Sequence, residues 1–140
     1  MTNLGRNCKR SSTTTTGQYA EEVAANFLRL SDYQILARNM RHGRLEVDII
    51  ANRGSVVAFV EVRMRSSRWH GRPEETVRYH KRRNLLQAAT GIVPRLGLAK
   101  NQRLRFDVIA VELDGQQLTL RHLPGWFGAG RVGARLSGSG

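Results

Sequence analysis

Leu45-Glu46-Val47-Asp48-Ile49-Ile50 and Phe59-Val60-Glu61-Val62-Arg63 are the two strings on which the reading of this chain turns. Each is short and rich in β-branched or aromatic residues, which predicts a β-strand. Each also drops acidic residues into an apolar run. An ionised carboxylate there is costly unless it is paired or binds a metal. Arg63 follows Glu61 by two residues, so both project from one face of the strand. Asn52-Arg53-Gly54-Ser55 is the natural turn of a hairpin between the strings. A two-residue loop at Arg53-Gly54 pairs Asp48 with Phe59 and Glu46 with Glu61, whereas a four-residue loop pairs Asp48 with Glu61. In both registers Glu46, Asp48, Glu61 and Arg63 share one face, and Val47, Ile49, Val60 and Val62 share the other. An odd loop without a bulge would send Asp48 and Glu61 to opposite sides. A solvated polar face produces the same alternation, but Val56-Val57-Ala58-Phe59-Val60 reads as a strand buried on both faces. A hairpin that gathers Asp, Glu and a cation in such surroundings suggests a metal-dependent site that cleaves phosphodiesters.

The 140 residues suffice for one domain with a real core and are too few for two. The net charge of +12 favours an anionic partner, most often nucleic acid, although a ribosomal or membrane surface would suit the same balance. The single cysteine, Cys8, excludes an internal disulfide and a zinc-cysteine cluster, and fits a reducing compartment. No apolar stretch approaches the length of a membrane span, and the first residues lack the apolar core of a secretory signal. A cytoplasmic protein without membrane contact is therefore expected.

Residues 1–16 are polar and basic, and are expected to form a disordered arm ahead of a domain over 17–124. Ala20, Val23, Ala24, Phe27 and Leu28 form an apolar stripe that predicts a helix over Gln18–Leu30, with Thr15 and Gln18 as its capping box. Glu21 lies on the flank of that stripe and Glu22 on the solvated side. A strand over Tyr33–Arg41 precedes the two acidic strands. Ser66–Pro73 has the composition of a loop. A second helix is expected to start near Glu74–Val77, to bury Leu85, Leu86, Ala89, Ile92 and Val93, and to end or kink at Pro94. Leu104–Val111 reads as a strand, Leu118–Leu120 as a short edge strand, and 125–140 as a flexible glycine-rich tail. The order predicts an α/β fold, a mixed central sheet flanked by helices. Gly128-Ala129-Gly130-Arg131-Val132-Gly133 matches G-x-G-x-x-G, but lacks the strand before it and the helix after it that a dinucleotide site needs. The four histidines have no metal-ligand spacing, and the serines and threonines near the start have no partner that would make a nucleophile.

These residues together resemble the αβββαβ core of the PD-(D/E)xK nuclease superfamily, the restriction-endonuclease-like fold. Within it the chain is similar to the YraN-type family of endonuclease-like bacterial proteins, related in fold to archaeal Holliday junction resolvases. The resemblance runs from Gly17 to Val111. It rests on Gly17 and Glu21, Asn39-Met40-Arg41, Glu46-Val47-Asp48-Ile49-Ile50, Phe59-Val60-Glu61-Val62-Arg63-Met64-Arg65, Lys81, and Arg105-Phe106-Asp107-Val108. It implies a DNA endonuclease in which Asp48, Glu61 and the Val62 carbonyl hold Mg²⁺ or Mn²⁺, with Glu21 completing the site directly or through water. Glu46 and Asp107 would be supporting residues, Asp107 as partner of a basic side chain. Arg63 stands where the superfamily motif ends in lysine. An arginine stays charged and cannot deprotonate water, but it clamps phosphate and stabilises developing charge. Leu45 stands where the family more often has glycine.

Arg63, Arg65, Arg68, Arg72, Arg78, Lys81, Arg82 and Arg83 lie between the motif strand and the second helix, with Trp69 and Tyr79 among them. Such a mixture suits a surface that tracks phosphates and stacks on bases. A homodimer is compatible with the resemblance, because junction-cleaving relatives often pair to cut two strands. Two readings compete with a nuclease. One is a basic nucleic-acid-binding protein that keeps the fold and hydrolyses nothing. The other is a structural partner whose acids only pair with Arg63 and Arg105.

Overall fold

The structure is a computed structural model that describes residues 12–66, 79–99 and 102–131, with side chains over 17–64, 86–99 and 102–126. Its elements are α1 (Ser12–Leu30), β1 (Gln34–His42), β2 (Leu45–Arg53), β3 (Val56–Ser66), α2 (Tyr79–Ile92), β4 (Arg103–Asp114) and β5 (Gln117–Arg131). The strands form one sheet in sequence order. β3 and β4 are parallel and the other neighbours antiparallel. The parallel pair follows from the crossover through α2, which returns the chain to the end where β3 began. This is the expected mixed α/β sheet with an αβββαβ order and one strand added.

The helices cover opposite faces. Ala20, Ala24, Ala25 and Leu28 of α1 pack with Ile49, Ala51, Ala58, Val60, Ile109 and Val111. Ala88, Ala89 and Ile92 of α2 pack with Val47, Ile50, Val57, Phe59, Leu104, Phe106 and Val108. β3 and β4 are thus buried on both sides, which is why Val56–Val60 is an unbroken apolar run. Among the residues expected to line α2, Ala89 and Ile92 are buried, Leu86 and Val93 are half-buried, and the side chain of Leu85 lies outside the described set. Ala88 was absent from that expectation. A 3₁₀ turn, Val93–Arg95, follows Ile92, as Pro94 requires.

α1, the β2–β3 turn and β5 depart furthest from the sequence expectation. α1 starts at Ser12, so Thr15 and Gln18 lie inside the helix and not at its cap. Its C-terminus closes through Asp32, whose φ is 66°. There Tyr33 N–H donates to Leu28 O at 2.9 Å and Asp32 N–H to Arg29 O at 3.1 Å, the paired bonds of a Schellman motif. The β2–β3 turn is Gly54-Ser55, with Arg53 opposite Val56 and Gly54 at φ 58°. That register brings Asp48 level with Glu61, the arrangement expected of a longer loop, through a two-residue turn placed one residue later. β5 runs to Arg131, so residues 125–131, expected in a flexible tail, belong to the sheet. The buried strand β4 would otherwise leave a row of backbone donors and acceptors unpaired along its length. The first four residues of the G-x-G-x-x-G string are therefore strand, not a phosphate-binding turn.

Candidate functional site

β2 changes faces at Asp48. Val47 packs in the core under α2 and Ile49 in the core under α1, although residues two apart on a regular strand share a face. β1 changes with it. Met40, opposite Val47, packs under α2. Arg38, opposite Ile49, reaches α1, where its Nη1 donates to Glu22 Oε2 at 2.7 Å. Between these pairs the ladder skips Asn39 and Asp48. At the same level the β2–β3 ladder ends with the pair Ile49–Val60. The Val62 N–H, which faces β2, would meet Val47 if that ladder continued. It donates instead to Asp48 Oδ2 at 2.8 Å.

The expectation that Glu46, Asp48, Glu61 and Arg63 share one face, with Val47 and Ile49 on the other, is therefore corrected. Glu61 and Arg63 alternate with Phe59 and fall on the α2 face, while Glu46 alternates with Val47 and falls on the opposite one. The reversal at Asp48 is the physical reason. Glu61 is only 4 % exposed. Arg63 Nη2 lies 3.5 Å from Glu61 Oε1, and Arg63 Nε is buried without a hydrogen-bond partner. Glu46 pairs across β1 with Arg41 at 3.2 Å. Glu21 is half-buried on α1, so it approaches from the face opposite Glu61. Glu22 is exposed, as expected, yet leans onto the sheet through Arg38, whose hydrogen bond and charge hold its carboxyl below the usual carboxylate range.

Among the described residues, no three Asp, Glu, His or Cys side chains come together as a metal-holding group. Asp48 and Glu61 stand at one level of the β2–β3 register, and the Asp48 carboxylate reaches the backbone of Val62. In an extended strand a residue's C=O faces the same neighbour as its N–H, so the Val62 carbonyl is turned to β2 as well. Two carboxylates and a carbonyl form an oxygen-only set that fits Mg²⁺ or Mn²⁺, ions that keep several waters when one or two carboxylates bind them.

Asp107 lies on the α1 face, level with Val60, and is wholly buried. Its carboxylate accepts from Arg105 Nε and Nη2, each at 2.8 Å, and from Gly125 N–H at 2.9 Å. His122 Nε2 lies 2.8 Å from Oδ2. Arg105 Nη2 also donates to the Tyr33 hydroxyl at 2.7 Å, and Arg53 stacks 4.4 Å above the Tyr33 ring. Burial pushes the Asp107 carboxyl up. The bonds from His122, Arg105 and Gly125, with the Arg105 charge, more than offset it and hold the group below the usual carboxylate range. Sequence reasoning did not foresee Tyr33 or His122 here. The available signal was a lone acid inside the apolar run Leu104–Val111 with Arg105 two residues before it on the same face.

Of the residues expected to contact nucleic acid, Arg65 is on β3 and Lys81 and Arg82 are on α2. Arg68, Arg72 and Arg78, with Trp69, lie outside the described residues. No helix of the described residues is long and apolar enough to cross a membrane.

Residues 20–111 match the model of the uncharacterised protein family UPF0102, which is the YraN-type family. The chain is 37 % identical over 112 residues to a UPF0102 protein of Nitratidesulfovibrio vulgaris, covering 80 % of this chain and 83 % of that one. It is 46 % identical over 98 residues to one of Anaeromyxobacter sp. (70 % and 73 % covered). With one of Moorella thermoacetica it shares 45 % over 101 residues (72 % and 83 % covered).

Proposed function

The chain belongs to the uncharacterised protein family UPF0102, and we propose that it is a divalent-metal-dependent endonuclease that hydrolyses phosphodiester bonds in DNA, branched or structured DNA included. One observation carries this reading. Asp48 leaves the β2 ladder to meet Val62 beside the buried Glu61, where a strand would otherwise have closed. Asp48, Glu61 and the Val62 carbonyl would hold Mg²⁺ or Mn²⁺, with Glu21 acting from α1 through water. When bound, such an ion activates water and neutralises phosphate charge. Arg63 clamps the phosphate and stabilises charge developing on it, but takes no proton, since guanidinium stays charged at any working pH. Arg65, Arg68, Arg72, Arg78, Lys81 and Arg82 supply cations that track the backbone, in keeping with the net charge of +12. A homodimer would present two such sites to two strands.

The second reading, a nucleic-acid-binding protein without hydrolysis, draws on two observations. Arg63 is already engaged with Glu61, and no third acid joins Asp48 and Glu61 among the described residues. One experiment separates the two. The protein is incubated with linear, single-stranded and branched DNA, and with RNA, in Mg²⁺ or Mn²⁺. A nuclease cuts, and Asp48→Ala and Glu61→Ala each abolish cutting. Absence of cleavage, or cleavage that survives both changes, rejects it. Salt-sensitive binding without cleavage selects the second reading.

A further inference from the structure

We propose that Asn39 is a positioning residue for the acidic site. Its left-handed backbone turns the β1–β2 ribbon over, and that reversal lays the Asp48 carboxylate between β2 and β3 instead of into a core. Asn39 has φ 50° in the middle of a strand. Among the described residues the only other non-glycine with positive φ is Asp32, which the helix cap explains. Asparagine is one of the few residues with a side chain that enters this region readily. The Asn39 side chain is exposed, so packing does not account for the residue. The left-handed backbone stands directly across from Asp48, where the ladder is interrupted.

The sequence of β2 shows what the reversal achieves. In a regular strand, odd residues would all face α1 with Ile49 and Ala51, and even residues would face α2 with Ile50. Glu46 and Asp48 would then enter the apolar core under α2, where an unpaired carboxylate is strongly disfavoured, and Val47 would leave it. Reversing the ribbon at one point lets Val47 serve the α2 core and Ile49 the α1 core. It sends Glu46 to Arg41. It leaves Asp48 at the crossover, pointing along the sheet to Val62. Asn39 on β1 and Asp48 on β2 thus stand opposite each other, and Asp48 reaches across to Val62 on β3.

The positioning stands on backbone geometry alone. That the positioned carboxylate serves a metal rests on the function proposed above. The test uses the full chain, with Asn39→Ala and Asn39→Gly, since glycine adopts positive φ without cost. Amide hydrogen exchange reports the Val62 N–H in the metal-free protein, with Asp48→Ala as the control that removes its acceptor. Binding of Mn²⁺ is titrated by calorimetry on the same samples. In Asn39→Ala the Val62 amide should exchange about tenfold faster and Mn²⁺ bind about tenfold more weakly, the factor expected when a left-handed alanine must be strained to form the site. Asn39→Gly should match the parent in both. The proposal is overturned if Asn39→Ala protects Val62 as the parent does, or if Asn39→Gly loses protection. Should Asn39→Ala fail to fold, Asn39→Gly still decides by that criterion. If Val62 behaves as stated while the parent binds no Mn²⁺, the positioning holds and the metal-dependent function falls.

Discussion

Replacing Asp107 with alanine should be the most damaging single change among the described polar residues. The carboxylate is wholly buried and accepts two bonds from Arg105 and one from Gly125, with His122 against the same oxygen that Arg105 Nη2 approaches. Removing it leaves a largely buried guanidinium, an amide and an imidazole without their shared acceptor. Breaking one side of a buried ion pair costs about 3–5 kcal/mol, because the remaining charge stays desolvated. At roughly 3–4 °C per kcal/mol for a chain of this size, the melting temperature should fall by about 9–20 °C. The site lies on a strand junction, which adds a structural consequence. Asp107 faces the irregularity where the β4–β5 ladder passes from Phe106–Gly128 to Val108–Leu123, and its bond to Gly125 ties that bulge down. Amides of residues 124–131 should therefore lose protection before those of β3. The pH dependence has a definite sign. A carboxyl held below its ordinary value contributes fully above about pH 3.9, and the contribution is lost as pH falls through the lower folded value. The gap between the parent and Asp107→Asn should thus narrow below about pH 4. Denaturant titration and calorimetry measure the stability loss and its pH dependence, and amide hydrogen exchange measures the protection. A loss under about 1 kcal/mol, the value of a surface pair, would refute the reasoning. So would a gap that narrows as pH rises from about 5 to about 8.

Asp32→Gly should raise stability by about 0.5–1 kcal/mol in a thermal melt, since the Schellman position has φ 66° and glycine fills it without steric cost. Glu22→Gln should leave the melting temperature nearly unchanged in a thermal melt, because its pair with Arg38 is open to water at the acid and screened by salt. If the protein binds duplex DNA, each of Arg65, Arg68, Arg72 and Arg78 that contacts a phosphate should, when changed to alanine, reduce the slope of log affinity against log salt by about 0.9. Arg63→Lys should introduce a pH dependence into any cleavage rate that the parent lacks, since lysine can lose its proton near the metal and arginine cannot; a pH–rate profile superposable on the parent's would refute this expectation.

Hydrophobic periodicity carried the order of elements, because each strand and helix here has a face that must be buried and therefore a visible rhythm. Ala20, Ala24 and Leu28 mark α1, and Val56–Val60 marks a strand covered on both sides. It failed where burial did not write the pattern. The last part of β5 is rich in glycine and is held by backbone bonds to β4, which leave no mark on side-chain composition. The start of α1 is threonine-rich and carries no apolar stripe, so its extension to Ser12 had no signal.

The acids themselves were legible one at a time. Asp48, Glu61 and Asp107 each stand in an apolar run, and a carboxylate there advertises that something must compensate it. What compensates it is a matter of which strands lie side by side. Asp107 finds His122 and Gly125 because β5 pairs antiparallel with β4, and finds Tyr33 as neighbour of its arginine because a helix cap delivers that ring to the same face. The strict alternation of a strand predicts one face for Glu46, Asp48 and Glu61, and a single left-handed residue on the neighbouring strand undoes it. Local chain chemistry is short-ranged and can be read along the chain. The direction in which Asp48 points depends on two ladders breaking at the same level, a property of three strands together that no stretch of one strand contains.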